Sequence, residues 1–347
     1  MKAGLIYGKK DLRIESVPVP EVTKGKAKIE IAYAGICGSD LHIYHDGAML
    51  EEEEHPLSKK KPPIILGHEF SGTVVEIGKG VTNVSPGDKV TVEPFIYCGT
   101  CEYCKKGNYN FCEFFGSLGV NDDGGFAEYC VTDARYLHKL PENMSLKEGA
   151  LVEPVAVAVH AVRQSGLKVG ESVAIFGAGP IGLLTLLAAK ATGATKTFVV
   201  DISQERLNKA KELGAGYIIH PMNEDAVQKI VSITGNGVDI AFEAAGVSET
   251  FTNAITSIKP GGTVSVIAIY ESMVPFDPNI LFEKEGKIFF SRGYANEYQE
   301  VIELIAHQFI DAKQIITKEI NLNNLVEDGL EFLVKDKSQS KILVRPN

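Results

Sequence analysis

The sequence predicts an α/β protein in two parts, a barrel-like β domain and a doubly wound parallel sheet. Three observations predict it. Over residues 1–155, short runs of alternating polar and apolar residues are broken by Gly and Pro. Beyond residue 156, short apolar runs alternate with helical patterns, and one glycine-rich turn heads that second series. Finally, 347 residues are long for one domain and comfortable for two, and 44% hydrophobic against 23% charged residues supplies two cores.

Taken in order, residues 26–34 alternate polar and apolar side chains, the mark of a half-buried strand. Residues 70–77 and 88–92 repeat that texture, with Gly78-Lys79-Gly80 and Ser85-Pro86-Gly87-Asp88 as turns between them. Several short strands with such punctuation suggest a compact, barrel-like β domain. Residues 46–63 stand apart: four glutamates, three lysines and Pro62-Pro63 cannot bury a core face, so a surface loop is expected. Candidate ligands flank that loop on both sides, which also makes it a candidate flap.

The second series opens with an apolar strand over residues 172–176 and a helix over 180–191, with Pro180 in its first turn, where a missing N–H costs nothing. Strands follow at 197–201, 217–220, 238–243, 263–267 and 287–291, and a helix over 204–213 stops at Gly214. An amphipathic helix over 298–307 begins a return to the first domain.

Between the first of these strands and its helix lies Gly177-Ala178-Gly179-Pro180-Ile181-Gly182. A lone G-x-G-x-x-G is weak, but here it follows a strand, opens a helix, and is followed by Asp201 at the end of the next strand. That is the setting of a Rossmann dinucleotide site. Gly177 permits the tight turn, Gly179 lets the backbone approach a pyrophosphate, and Gly182 allows close helix–strand packing. Pro180 and Ile181 form the helix start on which the phosphates would rest. Asp201 would accept hydrogen bonds from the adenosine ribose and repel a 2′-phosphate, so NAD is favoured over NADP. Arg206 is expected along the adenine face.

Cys98, Cys101, Cys104 and Cys112 follow a C-x-x-C-x-x-C-x₇-C spacing. Four thiolates saturate a tetrahedral ion, so this site is expected to be structural, a first zinc. Cys37, His68 and a carboxylate form a second, dispersed set. A thiolate, an imidazole and one carboxylate leave a position open, which catalysis needs. Glu69 and Glu153 compete for that third place. Cys130 stands outside both patterns and is expected to be a buried thiol.

Lysine and arginine number 35 against 45 acidic residues, a formal charge of −10 with no long basic block. That argues against nucleic acid or an anionic membrane as partner and favours a small organic substrate. The apolar run at the N-terminus is too short for a secretory signal, and no stretch of about 18 apolar residues exists. Six cysteines, four of them between residues 98 and 112, suit a metal better than a disulfide scaffold. A cytoplasmic location is expected.

With these residues in view, the chain resembles the zinc-containing medium-chain alcohol dehydrogenases over nearly its whole length. The motifs that carry the resemblance are Gly35-Ile36-Cys37-Gly38-Ser39-Asp40, Gly67-His68-Glu69, the four cysteines, Gly124-Gly125-Phe126-Ala127-Glu128-Tyr129, Glu153-Pro154 and the glycine fingerprint, in the family's order. The resemblance implies a catalytic domain over 1–155 and 295–347, a Rossmann domain over 156–294, and a catalytic metal in the cleft between them. The 46–63 insertion, and Glu153 where other zinc alcohol dehydrogenases place a metal cysteine, are similar to the polyol branch. That branch implies a Cys–His–Glu shell, two zinc ions per chain, NAD, and a homo-oligomer, tetramer favoured over dimer.

The implied reaction is reversible oxidation of a secondary alcohol to a ketone. Most narrowly it is (R,R)-2,3-butanediol to acetoin, with acetoin and diacetyl reduction in reverse; sorbitol or xylitol is the alternative. Ser39 would pass the hydroxyl proton through the nicotinamide ribose to His42, which discharges it to solvent.

Overall fold

A computed structural model of the chain describes residues 1–336 and 338–346. The chain divides into two compact units: Met1–Glu153, Tyr298–Gln308 and Ile316–Asn347 in one, Pro154–Glu297 and Phe309–Ile315 in the other.

The first unit contains strands β1 (Lys2–Gly8), β2 (Asp11–Ser16), β3 (Lys26–Gly35), β4 (Ile64–Ile65), β5 (Glu69–Ile77), β6 (Lys89–Val92), β7 (Phe95–Ile96), β8 (Gly116–Ser117), β9 (Tyr129–Asp133) and β10 (Leu137–Lys139). Short helices α1 (Gly38–Asp46), α2 (Glu102–Lys105) and α3 (Leu146–Gly149) interrupt them. β3 is the spine, pairing antiparallel with β5 and β9. Its alternation turns Ala27, Ile29 and Ile31 inward to pack with Phe70, Val74 and Phe126 in one core. A small β2-β1-β4 sheet lies alongside, bridged through Ala3 and Ala127. The turn from β3 into α1, and the entry to β5, bring Cys37 and His68 to the same end of the spine.

The chain passes into the second unit along α4 (Val152–Ser165). There β11 (Ser172–Phe176), β12 (Lys196–Val200), β13 (Tyr217–Ile219), β14 (Val238–Glu243), β15 (Ile258–Val266) and β16 (Lys287–Phe290) form one parallel sheet in the order β13-β12-β11-β14-β15-β16. Helices α5 (Pro180–Thr192), α6 (Gln204–Glu212), α7 (Ala226–Thr234), α8 (Ser248–Ser257) and α9 (Asn279–Lys284) connect the strands. Every residue of β11 is buried, as a central strand covered on both faces requires. The strand order reverses between β11 and β14, and ligands bind outside the carboxyl ends of strands at such a point.

Two details differ from the sequence-based expectation. β15 begins at Ile258 rather than 263, because residues 259–262 bulge out between the pairs Val238–Ile258 and Ile240–Thr263, with Gly261 at φ +76°. Residues 154–155, 295–297 and 309–315, expected with the first domain, belong to the second unit; in the last of these segments Ala312 and Ile315 are buried and pack on α5.

The chain then completes the first unit. α10 (Tyr298–Ala306) buries Tyr298, Val301, Ile302 and Ile305 on one face, and Tyr298 Oη donates to Val92 O at 2.8 Å. β17 (Ile316–Asn321) and β18 (Lys341–Arg345) extend the large sheet through β18 on β3. Among the described residues no helix is long and apolar enough to cross a membrane.

Candidate active site and metal centres

The four-cysteine lobe is held together by its own backbone. The donor atoms of Cys98, Cys101, Cys104 and Cys112 all lie within 4.8 Å of one another, and Cys98 Sγ is 3.9 Å from Cys104 Sγ. Main-chain N–H groups point at the sulfurs: Cys101 N donates to Cys98 Sγ at 3.2 Å, and Cys98 N to Cys112 Sγ at 3.3 Å. The N–H of Thr100 and that of Cys101 push the Cys98 thiol down to about 6, while burial pushes Cys104 up to about 12. Four thiolates this close repel one another unless a cation neutralises them, so the donor chemistry fits a closed-shell metal. From within the lobe, Tyr109 Oη donates to the buried Glu93 carboxylate at 2.6 Å, and Tyr97 stacks on Tyr109, fastening the lobe to the end of β6.

The second cluster assembles three different donors. Cys37 caps α1, His68 precedes β5 and Glu69 begins it; the donor atoms of these three also lie within 4.8 Å of one another. Gly35 makes room, since a Cβ there would fall on Glu69 Oε2. Asp40 is fully buried, accepts from Cys37 N at 2.9 Å through Oδ2, and sets Oδ1 3.6 Å from His68 Nδ1. That pairing favours the tautomer that leaves Nε2 free, the nitrogen 3.3 Å from Ser39 Oγ. Burial alone would lower the His68 imidazole, but the Asp40 and Cys37 charges hold it well above the usual histidine value. A soft sulfur, an imidazole and a carboxylate, with a buried carboxylate behind the ring, fit zinc with a coordination place to spare.

Lys341 completes this site. Its ammonium donates to both Glu69 oxygens at 2.7 and 2.6 Å and to Ile36 O at 3.0 Å, with both side chains out of contact with water. Burial would lower the ammonium, but Glu69, Cys37 and Glu153 raise it, so it stays charged. Glu153, in the first turn of α4, is buried and acts on Lys341 through its charge. Its oxygens do not join the donor group, whereas Glu69 does, being fixed beside His68 by adjacency in the chain. Ser39 and His42 lie three residues apart on α1 and so face the same side. His42 Nδ1 is 3.9 Å from Asp46 Oδ2, and its side chain is 37% exposed, open to solvent.

In the second unit the glycine turn forms a cradle. A Cβ on Gly182 would fall on Gly177 O, and Gly177, at φ +102°, already lies against Ala244 and Ala245. Among the described residues nothing lies within 4 Å of the Cβ position of Gly179, which caps α5, and Pro180 and Ile181 follow as its first residues. Asp201 is buried, accepting from Ala178 N at 2.6 Å and Ser203 N at 2.8 Å. Gly177, Gly179, Asp201 and Arg206 line a cavity of about 350 Å³, and Arg206 Nε is buried there without a hydrogen-bond partner among the described residues. An anion-receptive helix start, a buried carboxylate at the end of the next strand and an unsatisfied guanidinium nitrogen fit a dinucleotide.

Residues 23–142 match the alcohol dehydrogenase GroES-like domain, and residues 180–307 match the zinc-binding dehydrogenase domain. Over 350 aligned residues the chain is 43% identical to the (R,R)-butanediol dehydrogenase of Bacillus subtilis, covering all of both chains. It belongs to the zinc-binding alcohol dehydrogenases. The sorbitol dehydrogenase of the same organism is 35% identical, covering 100% of this chain and 98% of that one. The crystal structure of 2R,3R-butanediol dehydrogenase from Bacillus subtilis superposes with a TM-score of 0.95 at 44% identity, covering 100% of this chain and 99% of the other.

Two residues of this dehydrogenase's site escaped the sequence reading. Asp40 stands at the end of the Gly35–Asp40 motif without a role of its own, and Lys341 lies in none of the motifs. The one hint for Lys341 was a cation heading the apolar run Ile342-Leu343-Val344 in the last strand.

Proposed function

We propose that this dehydrogenase oxidises the secondary carbinol of a small vicinal diol to a ketone with NAD, most narrowly (R,R)-2,3-butanediol to acetoin, and reduces acetoin or diacetyl in reverse. The observation that carries the chemistry is the Cys37–His68–Glu69 donor group, with its place to spare, in the same chain as the Gly177–Asp201 cradle. The substrate rests on full-length similarity to (R,R)-butanediol dehydrogenase. The 35% identity to sorbitol dehydrogenase keeps sorbitol and xylitol as the second reading.

When bound, zinc would polarise the alcohol oxygen and NAD would take the hydride. Cys37, His68 and Glu69 hold the ion, with Asp40 orienting the imidazole and Lys341 fixing Glu69. Glu153 adds a second buried carboxylate whose charge acts on Lys341, at the position the polyol branch reserves for a metal ligand. Ser39 takes the hydroxyl proton, and His42, further along α1 and open to water, releases it. Cys98, Cys101, Cys104 and Cys112 hold a second, structural zinc. Asp201 selects NAD over NADP through its charge, Gly177, Gly179, Pro180, Ile181 and Gly182 seat the pyrophosphate, and Arg206 lies along the adenosine.

Self-association is part of this reading. β16 is an edge strand of the parallel sheet, with Phe290 and nearby Phe282 exposed. A second copy would cover such an edge, and a tetramer is favoured over a dimer.

The test is NADH formation by zinc-replete protein on (R,R)-, (S,S)- and meso-2,3-butanediol, sorbitol and xylitol. Fast turnover of a butanediol with an R carbinol and weak sorbitol activity is expected. Preference for sorbitol or xylitol would move the substrate to longer polyols, and no NADH from any of them would overturn the proposal. An Asp201→Ser variant should show a higher KM for NAD and accept NADP.

A further inference from the structure

The Rossmann unit buries one carboxylate that neither hydride nor proton transfer uses. Glu243 ends β14 and is fully buried. Its Oε1 accepts from Ala245 N at 2.9 Å and Gly246 N at 3.0 Å, and lies 2.7 Å from Thr250 Oγ1, whose one proton it shares with Val247 O at 2.9 Å. Its Oε2 accepts from Tyr270 Oη at 2.6 Å. Two backbone N–H groups and two hydroxyls meet its oxygens, and all four of these partners are neutral. Burying a charge is costly unless hydrogen bonds satisfy it, so a carboxylate kept here points to a task a neutral side chain would do less well.

What those bonds hold is the far wall of the dinucleotide cavity. Ala244, Ala245, Val247 and Thr250 line the same cavity as Gly177 and Asp201. The turn they form sits against the glycine turn: Ala244 N donates to Phe176 O at 2.9 Å, and a Cβ on Gly177 would meet Ala244 and Ala245 at 3.0 Å. Through Tyr270 the same carboxylate reaches the segment leaving β15, whose Ile269 O would lie 2.7 Å from a Cβ on Gly246. Both segments leave the carboxyl ends of adjacent parallel strands, on the side of the sheet where ligands bind. Val247 and Ile269 are 51% and 70% exposed, so the apolar anchorage of these turns comes from Tyr270, which packs edge-on against the buried Phe251.

We propose that Glu243 is a positioning residue for the cofactor: its carboxylate fixes the 244–250 wall and the 267–270 segment in the binding-competent arrangement before the dinucleotide arrives. It contributes affinity by preorganisation rather than speed in the chemical step. This rests on the reading of the cavity as the NAD site.

Glu243→Gln keeps the volume and one acceptor oxygen but turns an NH₂ toward Tyr270 Oη. Tyr270→Phe removes that single bond and guards against a Gln variant that fails to fold. With the zinc-replete full chain, NAD and NADH affinity would be measured by calorimetry and fluorescence, kcat and KM by steady-state rates. Amide hydrogen exchange would be measured without cofactor.

Glu243→Gln is expected to raise the NAD Kd and KM by about tenfold, the scale of one charge-assisted hydrogen bond, with kcat changed less than twofold. Exchange should quicken over 244–250 and 267–270 in the cofactor-free protein. Tyr270→Phe should give a smaller rise, with faster exchange at 267–270. Unchanged affinity in both variants, with or without a lower Tm, would overturn the proposal and leave Glu243 a structural residue. A fall in kcat at unchanged Kd would overturn it too. A wild type that binds neither NAD nor NADP would overturn the cofactor reading together with this one.

Discussion

The two candidate metal regions of this chain are built in opposite ways. The lobe draws four identical soft donors from residues 98–112 and aims its own backbone N–H groups at the sulfurs. The second cluster draws three unlike donors from residues 37, 68 and 69, and it depends on Asp40 and Lys341 behind them. A saturated shell needs only proximity, and a short loop provides that. A shell that keeps a place open must be rigid while incomplete, so its ligands are fixed by a second layer of buried charge. The first region should therefore govern integrity and the second activity, and substitutions can separate the two.

The largest expected effect is on catalysis. Cys37→Ser should cost several kcal/mol of transition-state stabilisation, at least about 10³-fold in kcat/KM. The unfolding midpoint should stay near wild type, and one zinc per chain should be lost by elemental analysis. Comparable activity in the variant would remove Cys37 from the centre.

Next comes the ion pair behind the ligands. Lys341→Met leaves the buried Glu69 carboxylate without its cation and should lower the stability of metal-stripped protein by about 3 kcal/mol or more in urea. Added zinc should restore part of that loss, because the metal replaces the ammonium as counter-charge. A Lys341→Met protein as stable as wild type without metal would show that the pair holds nothing.

Asp40→Asn should weaken metal retention at the second cluster by about 10- to 100-fold in a competition with a chelator, and leave the lobe's ion in place. The smallest effect belongs to the lobe's anchor. Tyr109→Phe should lower stability by about 1.5 kcal/mol, through the lost bond to Glu93, with kcat unchanged. A change in kcat there would contradict the division between the two regions.

Legibility in the sequence followed the distance over which each feature is built. The cysteine spacing and the glycine turn are local, and so could be read directly. β11 and β14 run from Ser172 to Phe176 and from Val238 to Glu243, as expected from their apolar runs. Lys341 and Glu69 are 272 residues apart, and no periodicity links them. Glu243 reads as the polar end of a strand, and only the fold reveals that loops 245–250 and 270 converge on it. The choice between Glu69 and Glu153 has the same origin: Glu69 adjoins His68 in the chain, Glu153 adjoins no ligand candidate, and only the fold shows that the donor atoms of Cys37, His68 and Glu69 lie together. The 309–315 segment joins the second unit because Ala312 and Ile315 are buried by tertiary packing on α5, which a short apolar pair in the sequence does not announce.

The most direct measurement is a chelator titration of zinc-loaded protein, following bound metal, NADH formation and circular dichroism together. The expected result is loss of one zinc per chain in step with activity, an unchanged spectrum, and release of a second zinc only on unfolding. Loss of both ions together with the fold, or activity that outlasts the first ion, would contradict the division between an open catalytic centre and a closed structural one.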